Sequence, residues 1–492
     1  MAPGPWRVGY NIQHYFVPMN RDIQPPRTFS AAWASKERLP RAQESKDSSR
    51  LNSLQVIGFY CAFALVFLRF SFFSDFLTYL TGKQTYVLYV FGPPALLAFL
   101  MRRGLQRTFR EVGPKLWLGF VVWMFLSVPF SIWRGGSSAE AISYVKTIFV
   151  LLLFTVGLTV DWAQCRKLVY AIAAAAVFNV AVGIYFMRSG EERFSFSWTT
   201  SIGNSNDFAA HLLMILPFLL FVVLRPSSQK LVRAVCAGAM LLGLYEILRT
   251  ASRGALIAIV VVIIVVLLRG SARQRVLIGA MALIALAVLI KFLPSETWNR
   301  MLSFSDDAGA SKEALESSDI RKHLLEESIK CTFEHPLLGI GVGQFGYYES
   351  GVRGAQPGHV DWRPTHNSYT EISSECGLGA LFFYLAALMW AFRLLGRVEK
   401  QANGPDKDEM VRAAYAIRLG VIGYSVAIFF VNFGYAFEFI LVSGLIEAIW
   451  RVVRENGAPA TVAVGAGPIT TYSQRLAASK SYRPVPKFAK LR

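Results

Sequence analysis

The chain has 492 residues, of which 54% are hydrophobic and 17% charged, with a formal net charge of +19. The charges come in short bursts between apolar stretches, which excludes an ordinary soluble globular protein and is the pattern of a polytopic membrane protein. The positive excess sits in loops and tails, so it calls for no nucleic acid partner; a basic face suits the lipid bilayer and its anionic headgroups.

Residues 1–50 lack both an apolar pattern and a cleavable signal peptide, and are expected to form a disordered cytoplasmic tail. The stretches that follow run to roughly 17–25 apolar residues each, the length a helix needs to cross a hydrocarbon core of about 30 Å. They predict spans at 54–73, 85–101, 116–133, 143–160, 168–187, 207–224, 231–248, 254–268 and 276–293, then 370–392, 413–433 and 436–452. The predicted fold is therefore all-α, with about 12 transmembrane helices: nine within 51–293, a long loop over 294–369, and three within 370–455. The basic segment 456–492 reads as a second cytoplasmic tail. An even number of spans puts both termini on one side. The loops on that side, from Arg102 to Arg412, hold about three times as many Lys and Arg as the short loops opposite. The basic side is then cytoplasmic, and the long loop lies on the outer side.

Ionisable groups near a hydrocarbon boundary cost free energy and mark functional candidates. On the outer side, "EERFSFSWTTSIGNSNDFAAH" (191–211) carries Arg193 and then a cluster in which Ser205, Asn206 or Asp207 is expected to cap the next helix. A helix start facing outward offers free amides and the positive dipole end to a phosphate; the alternative is a capped helix with a snorkelling arginine. "LRTASRGALI" (248–257) places Arg249 and Arg253 in a short outer turn, against the topological preference for positive charge. A pyrophosphate would compensate through bidentate guanidinium contacts; a salt bridge to Glu326 or Glu327 would also do so.

Within the long loop, "DIRKHLLEESIKCTFEHPLLG" has Ile320, Leu324, Leu325, Ile329 and Phe333 near helical spacing. An amphipathic helix near the membrane surface is expected, stopped by Pro336 and Gly339. The following "GIGVGQFGYY" lacks the Gly-Lys-Ser/Thr of a phosphate loop, so its glycines read as a tight turn or close backbone packing, with anion binding by amides as the alternative. In "PTHNSYTEISSECGLG" (364–379), Ser368 and Glu371 have capping-box spacing, which sets His366 just before the helix. The positive helix end would keep His366 neutral and able to accept a proton; a structural hydrogen-bonding role is the competing reading. Glu375, one turn beyond Glu371, could orient a hydroxyl or the histidine, or pair with an arginine.

The five cysteines have no metal or redox spacing, and a Cys331–Cys376 disulfide stays open. His323, His335, His359, Asp361 and His366 share the loop without zinc spacing, so no metal and no cofactor is expected.

Taken in order, "RFSFSWTTSIGNSNDFAA", "TASRGALI", "HPLLGIGVGQFGYY" and "PTHNSYTEISSECGLGALFFY" resemble the O-antigen ligase and polymerase superfamily of bacterial envelope glycosyltransferases, over residues from about 190 to 395. The resemblance implies a metal-independent enzyme that moves a glycan from an undecaprenyl-pyrophosphate carrier to an acceptor outside the inner membrane. That acceptor is a lipid A–core sugar in ligases, another carrier-linked glycan in polymerases and a serine in protein-glycosylating relatives. By the same resemblance, Arg193 and Arg253 hold the donor pyrophosphate and His366 of the His-Asn motif deprotonates the acceptor hydroxyl. Arg249, Arg321, Glu375 and Asn367 are second-rank candidates. A transporter or flippase for lipid-linked sugars is the alternative of a different class, disfavoured because the charged groups collect on one face and no two matching halves are visible.

Overall fold

The computed structural model describes residues 41–84, 86–186, 204–269, 291, 312–352 and 363–457. The chain divides into Met1–Asn52 and Ser53–Arg492. The account below concerns the second unit.

Among the described residues every regular element is helical. Apolar side chains all round, with no water to satisfy the main chain, leave the helix as the only open-chain solution in a bilayer. Helix α1 is Arg41–Ser71, α2 Phe73–Thr81, α3 Val87–Met101, α4 Gly104–Arg110 and α5 Val112–Ser127. Helix α6 (Arg134–Tyr144) continues through a π turn, Val145–Phe149, into α7 (Val150–Leu158), and α8 (Trp162–Phe186) follows. Then come α9 (Ser205–Leu224), α10 (Lys230–Arg249), α11 (Arg253–Arg269), α12 (Lys312–Glu334) and α13 (Phe345–Val352). The last three are α14 (Ser368–Gln401), α15 (Lys407–Ala427) and α16 (Phe437–Gly457).

Seven helical stretches are long and apolar enough to cross a membrane: Ser53–Ser71, Val112–Phe130, Arg134–Leu158, α8, α9, α10 and α14. Of the other predicted spans, 85–101 and 254–268 are shorter apolar helices. Those at 413–433 and 436–452 are helical but more polar, and 276–293 lies outside the described residues. Helix α15 stops at Ala427, six residues before its predicted end, and the chain crosses to α16 as a non-helical connection, 428–436.

Helix α9 is buried on nearly every side and forms the axis of the packing. It takes α15 at close range, because Gly420 faces the carbonyl of Met214, where a Cβ would collide. A buried polar group joins α1, α8, α9 and α16: His211 Nδ1 lies 2.9 Å from Glu438, and Asn179 Nδ2 donates to Phe70 O at 2.8 Å.

Ion pairs tie the helix ends remote from His366. Glu409 holds Arg166 at 2.9 Å and Arg225 at 2.5 Å. Glu399 holds Arg269 and Arg418, and Glu111 holds Arg454. Arg107 donates to Gly157 O, and Arg451 to Val156 O and Thr159 O, so guanidinium groups satisfy the last carbonyls of α7.

The predicted span 370–392 is not a continuous helix. Gly377 has φ 78° and ψ 174°, which interrupts α14. An interrupted helix releases main-chain donors and acceptors that lipid cannot satisfy. Segment 336–341 takes their place: Ile340 N donates to Ser374 O (3.0 Å), Gly341 N to Glu375 O (2.8 Å), and Leu378 N to Pro336 O (2.8 Å). The segment is gripped from its other side by Trp123 Nε1 on Leu337 O, Ile132 N on Ile340 O and Ser137 Oγ on Val342 O. All five cysteines are free, and Cys376 faces Tyr435 and Ser127 instead of Cys331.

A Cβ at Gly377 would collide with the Leu337 carbonyl, whereas Gly404, also at φ 78°, has nothing within 4 Å of such an atom. Gly404→Ala is therefore expected to cost only the left-handed penalty, about 1 kcal/mol. Gly377→Ala should cost at least about 2 kcal/mol more. Thermal unfolding of the two purified variants in one detergent checks this, and equal losses would refute the interlock.

Candidate active site

Helix α12 confirms the helix expected in the long loop but not its buried face. Leu324, Ser328, Cys331 and Thr332 are buried, while Ile329 and Phe333 of the expected apolar stripe are exposed. Hydroxyls make the contact: Ser328 Oγ donates to Thr370 Oγ1 at 2.9 Å, and Thr332 Oγ1 meets Ser373 Oγ at 2.8 Å. This ladder fixes α12 on the first turns of α14 and brings Arg321 into the electrostatic field of His366.

His366 is held at φ 53°, a left-handed conformation uncommon outside glycine and kept only where the surroundings impose it. The next residue explains the need. Asn367, not Ser368, is the N-cap of α14, its side-chain oxygen accepting from Tyr369 N (2.9 Å) and Thr370 N (3.2 Å). Thr365 Oγ1 donates to Asn367 O at 3.0 Å and braces the turn from the other side. Burial, and after it the Arg321 charge, push the His366 imidazole down to about 4. The causes are desolvation and a neighbouring cation, where the sequence pointed to the helix dipole.

The start of α9 repeats the device. Asn204, one residue before the expected candidates, accepts from Asn206 N (2.9 Å) and Asp207 N (3.2 Å). Arg193 lies outside the described residues. Arg249 is buried in the last turn of α10, and Arg253 is the half-buried first residue of α11. Between them Ala251 takes φ 50°, and Ser252 Oγ accepts Ala255 N at 3.4 Å. Of the carboxylates expected to pair with this turn, Glu327 faces Lys330 at 3.6 Å.

Glu375 receives two main-chain amides, Gly343 N at 2.7 Å and Phe345 N at 3.1 Å, at the start of α13. The amides that could have cradled a phosphate in the glycine run are occupied by the chain's own carboxylate. Gly341 (φ 105°) and Gly343 (φ 73°) supply the turn, so close backbone packing is what these glycines do. Among the described residues no three His, Cys, Asp or Glu side chains gather as metal ligands would.

The 428–436 connection, of which the sequence predicts only 434–435 to lie between spans, packs directly on the start of α14. Ser368 N donates to Ile428 O (2.9 Å), Ser368 Oγ donates to Val431 O (2.8 Å), and Phe433 N donates to that hydroxyl (2.7 Å). Glu371, expected to close a capping box, reaches instead to Gly434 N at 2.8 Å. Phe430 of the same connection lies over Gly254, so the Arg253 turn and the His366 turn rest on one piece of chain. The only local signal was Asn432 and Gly434, turn formers inside an apolar run.

Residues 238–385 match the family model described as O-antigen ligase. The match covers fewer than half of the chain's residues, and that stretch is similar to the O-antigen ligase family. It includes Arg249, Arg253, Arg321, His366 and Glu375, and begins after Arg193. No curated protein matches the chain.

A depressed His366 makes a direct prediction. Followed by NMR of the labelled ring in detergent, His366 is expected to titrate near pH 4 and to stay neutral through the physiological range. Arg321→Gln should raise that midpoint without restoring an ordinary value, because burial is the larger cause. Titration at about 6.5 in the parent protein would refute the assignment.

Proposed function

We propose that this protein is an O-antigen ligase-like glycosyltransferase. It moves a glycan from undecaprenyl pyrophosphate to an acceptor hydroxyl, a lipid A–core sugar, at the periplasmic face of the inner membrane. The observation that carries this reading is His366: an imidazole kept neutral by burial and by Arg321, at the same end of the bundle as Arg249 and Arg253.

In this reading the acceptor oxygen attacks the anomeric carbon as His366 takes its proton. The bond from that carbon to the pyrophosphate oxygen breaks, and undecaprenyl pyrophosphate leaves with the electron pair. The donor is already activated, so the protein's work is to orient the hydroxyl and stabilise leaving-group charge. Arg193 and Arg253 serve the pyrophosphate, with Arg249 behind them, and no metal or nucleotide takes part. A base with a midpoint near 4 is a weak acceptor in the ground state but is always in the competent form at neutral pH. The ion-paired arginine-rich end faces the cytoplasm by the positive-inside rule, which turns His366 to the periplasm and leaves both termini inside. A polymerase would differ only in using a second carrier-linked glycan as acceptor.

Purified protein given a polyprenyl-pyrophosphate-linked glycan is expected to glycosylate lipid A–core in the presence of EDTA and without nucleotide. His366→Ala should lower the rate by about 10²–10⁴-fold, and Arg253→Ala by about 10²-fold or more. Product on a carrier-linked glycan alone would reassign the protein as a polymerase. Full activity of His366→Ala, or loss of product with EDTA, would overturn the mechanism.

A further inference from the structure

The contacts at the start of α14 do more than hold a helix end. Ser368 makes three hydrogen bonds to the 428–433 main chain, and Glu371 accepts the amide of Gly434. Tyr369 Oη adds a bond to Ser425 O at 2.9 Å, at the end of α15. Gly434 has no room for a side chain, since a Cβ would lie 2.8 Å from Ile372 and 2.9 Å from the Glu371 carboxylate. On its other side the connection carries Phe430, whose ring would lie 2.5 Å from a Cβ on Gly254, next to Arg253. From His366 to Arg253 there is thus a short continuous path: the Asn367 cap, Ser368 and Glu371, the 428–434 connection, Phe430 and Gly254.

We infer that Ser368 and Glu371 are positioning residues of the transfer reaction. They lock the 428–434 connection in register with His366, and through Phe430 they fix where the Arg253 turn stands relative to the base. The role rests on the glycosyl-transfer reading above and adds residues that touch neither donor nor acceptor. Displacing a base by about 1 Å can cost about 10²-fold in rate while the groups that bind substrate stay intact. Loosening this clamp should therefore lower kcat with little change in the KM for the donor, because a guanidinium displaced so slightly still reaches the pyrophosphate while the base loses its alignment with the acceptor hydroxyl.

The test uses full-length protein in detergent or nanodiscs, with Glu371→Ala, Glu371→Gln and Ser368→Ala compared with the parent. Hydrogen exchange of the Phe433 and Gly434 amides is read by mass spectrometry, and kcat and donor KM are measured with a polyprenyl-pyrophosphate-linked glycan. Glu371→Ala is expected to speed exchange at Gly434 and to lower kcat about tenfold or more, with donor KM within about twofold. Glu371→Gln keeps an oxygen for the Gly434 amide and should stay within about threefold of the parent. Where Glu371→Ala does not fold, Ser368→Ala carries the test through the Phe433 amide and the same kcat-against-KM split. Unchanged kcat with faster exchange, or a glutamine variant as slow as the alanine variant, overturns the positioning role. A parent protein that exchanges slowly at Gly434 but forms no product overturns the glycosyl-transfer reading, and with it any part for the clamp in transfer.

Discussion

A helix that breaks among other helices must find partners for every main-chain group it releases, and the break at Gly377 governs the rest of this structure. Its partner is the segment 336–341, which donates and accepts along the opened turn. That pairing requires the chain after α12 to run between α5, α6 and α14, and so fixes where α12 itself lies. The hydroxyl ladder from α12 to Thr370 and Ser373 then brings Arg321 towards His366. The setting of His366 is in this way inherited from a glycine some ten residues away.

The same constraint explains why several polar groups face inward. Glu375 is the acceptor for amides that the glycine run exposes as it turns into α13. Glu371 does this for Gly434, and Ser368 for Phe433. Each carboxylate or hydroxyl sits where a non-helical connection meets α14. In a bilayer, where water is scarce, side chains supply the hydrogen bonds that solvent gives to loops elsewhere. Such residues are as costly to remove as those that touch a substrate, but for a structural reason.

How much of this was legible in the sequence follows from the range of each signal. Apolar runs of membrane length are local, and seven of the predicted spans reappear as helices that meet the length and apolarity of a crossing. The starts of α9 and α14 were found to within a few residues, but the Asn204 and Asn367 caps were assigned to their neighbours, because Asn, Ser and Asp cap alike and only geometry chooses. The break at Gly377 was invisible, since "ECGLGAL" has the composition of a tightly packed helix and its partner lies forty residues earlier in the chain. The 428–436 connection was hidden by its own apolarity: Ile428, Phe429, Phe430 and Val431 read as membrane helix while the main chain has already left it.

For the neutrality expected of His366, the sequence and the fold point to different causes. Spacing alone put His366 before a helix start, and the dipole there supplied a reason for neutrality. The fold supplies another: the imidazole is half-buried, and a charge acting on it comes from Arg321 on α12, a helix that sequence spacing could not orient. The difference matters for chemistry. A dipole acts over the first turn and is screened by solvent, whereas partial burial and the Arg321 charge lower the imidazole through the packing of α12 on α14. A histidine tuned so far down gives up basicity, and that is tolerable only if the leaving group needs little help from the nucleophile. On the proposed glycosyl-transfer reading, an anomeric carbon attached to pyrophosphate meets that condition, since arginines could take the developing charge and a strong base becomes unnecessary.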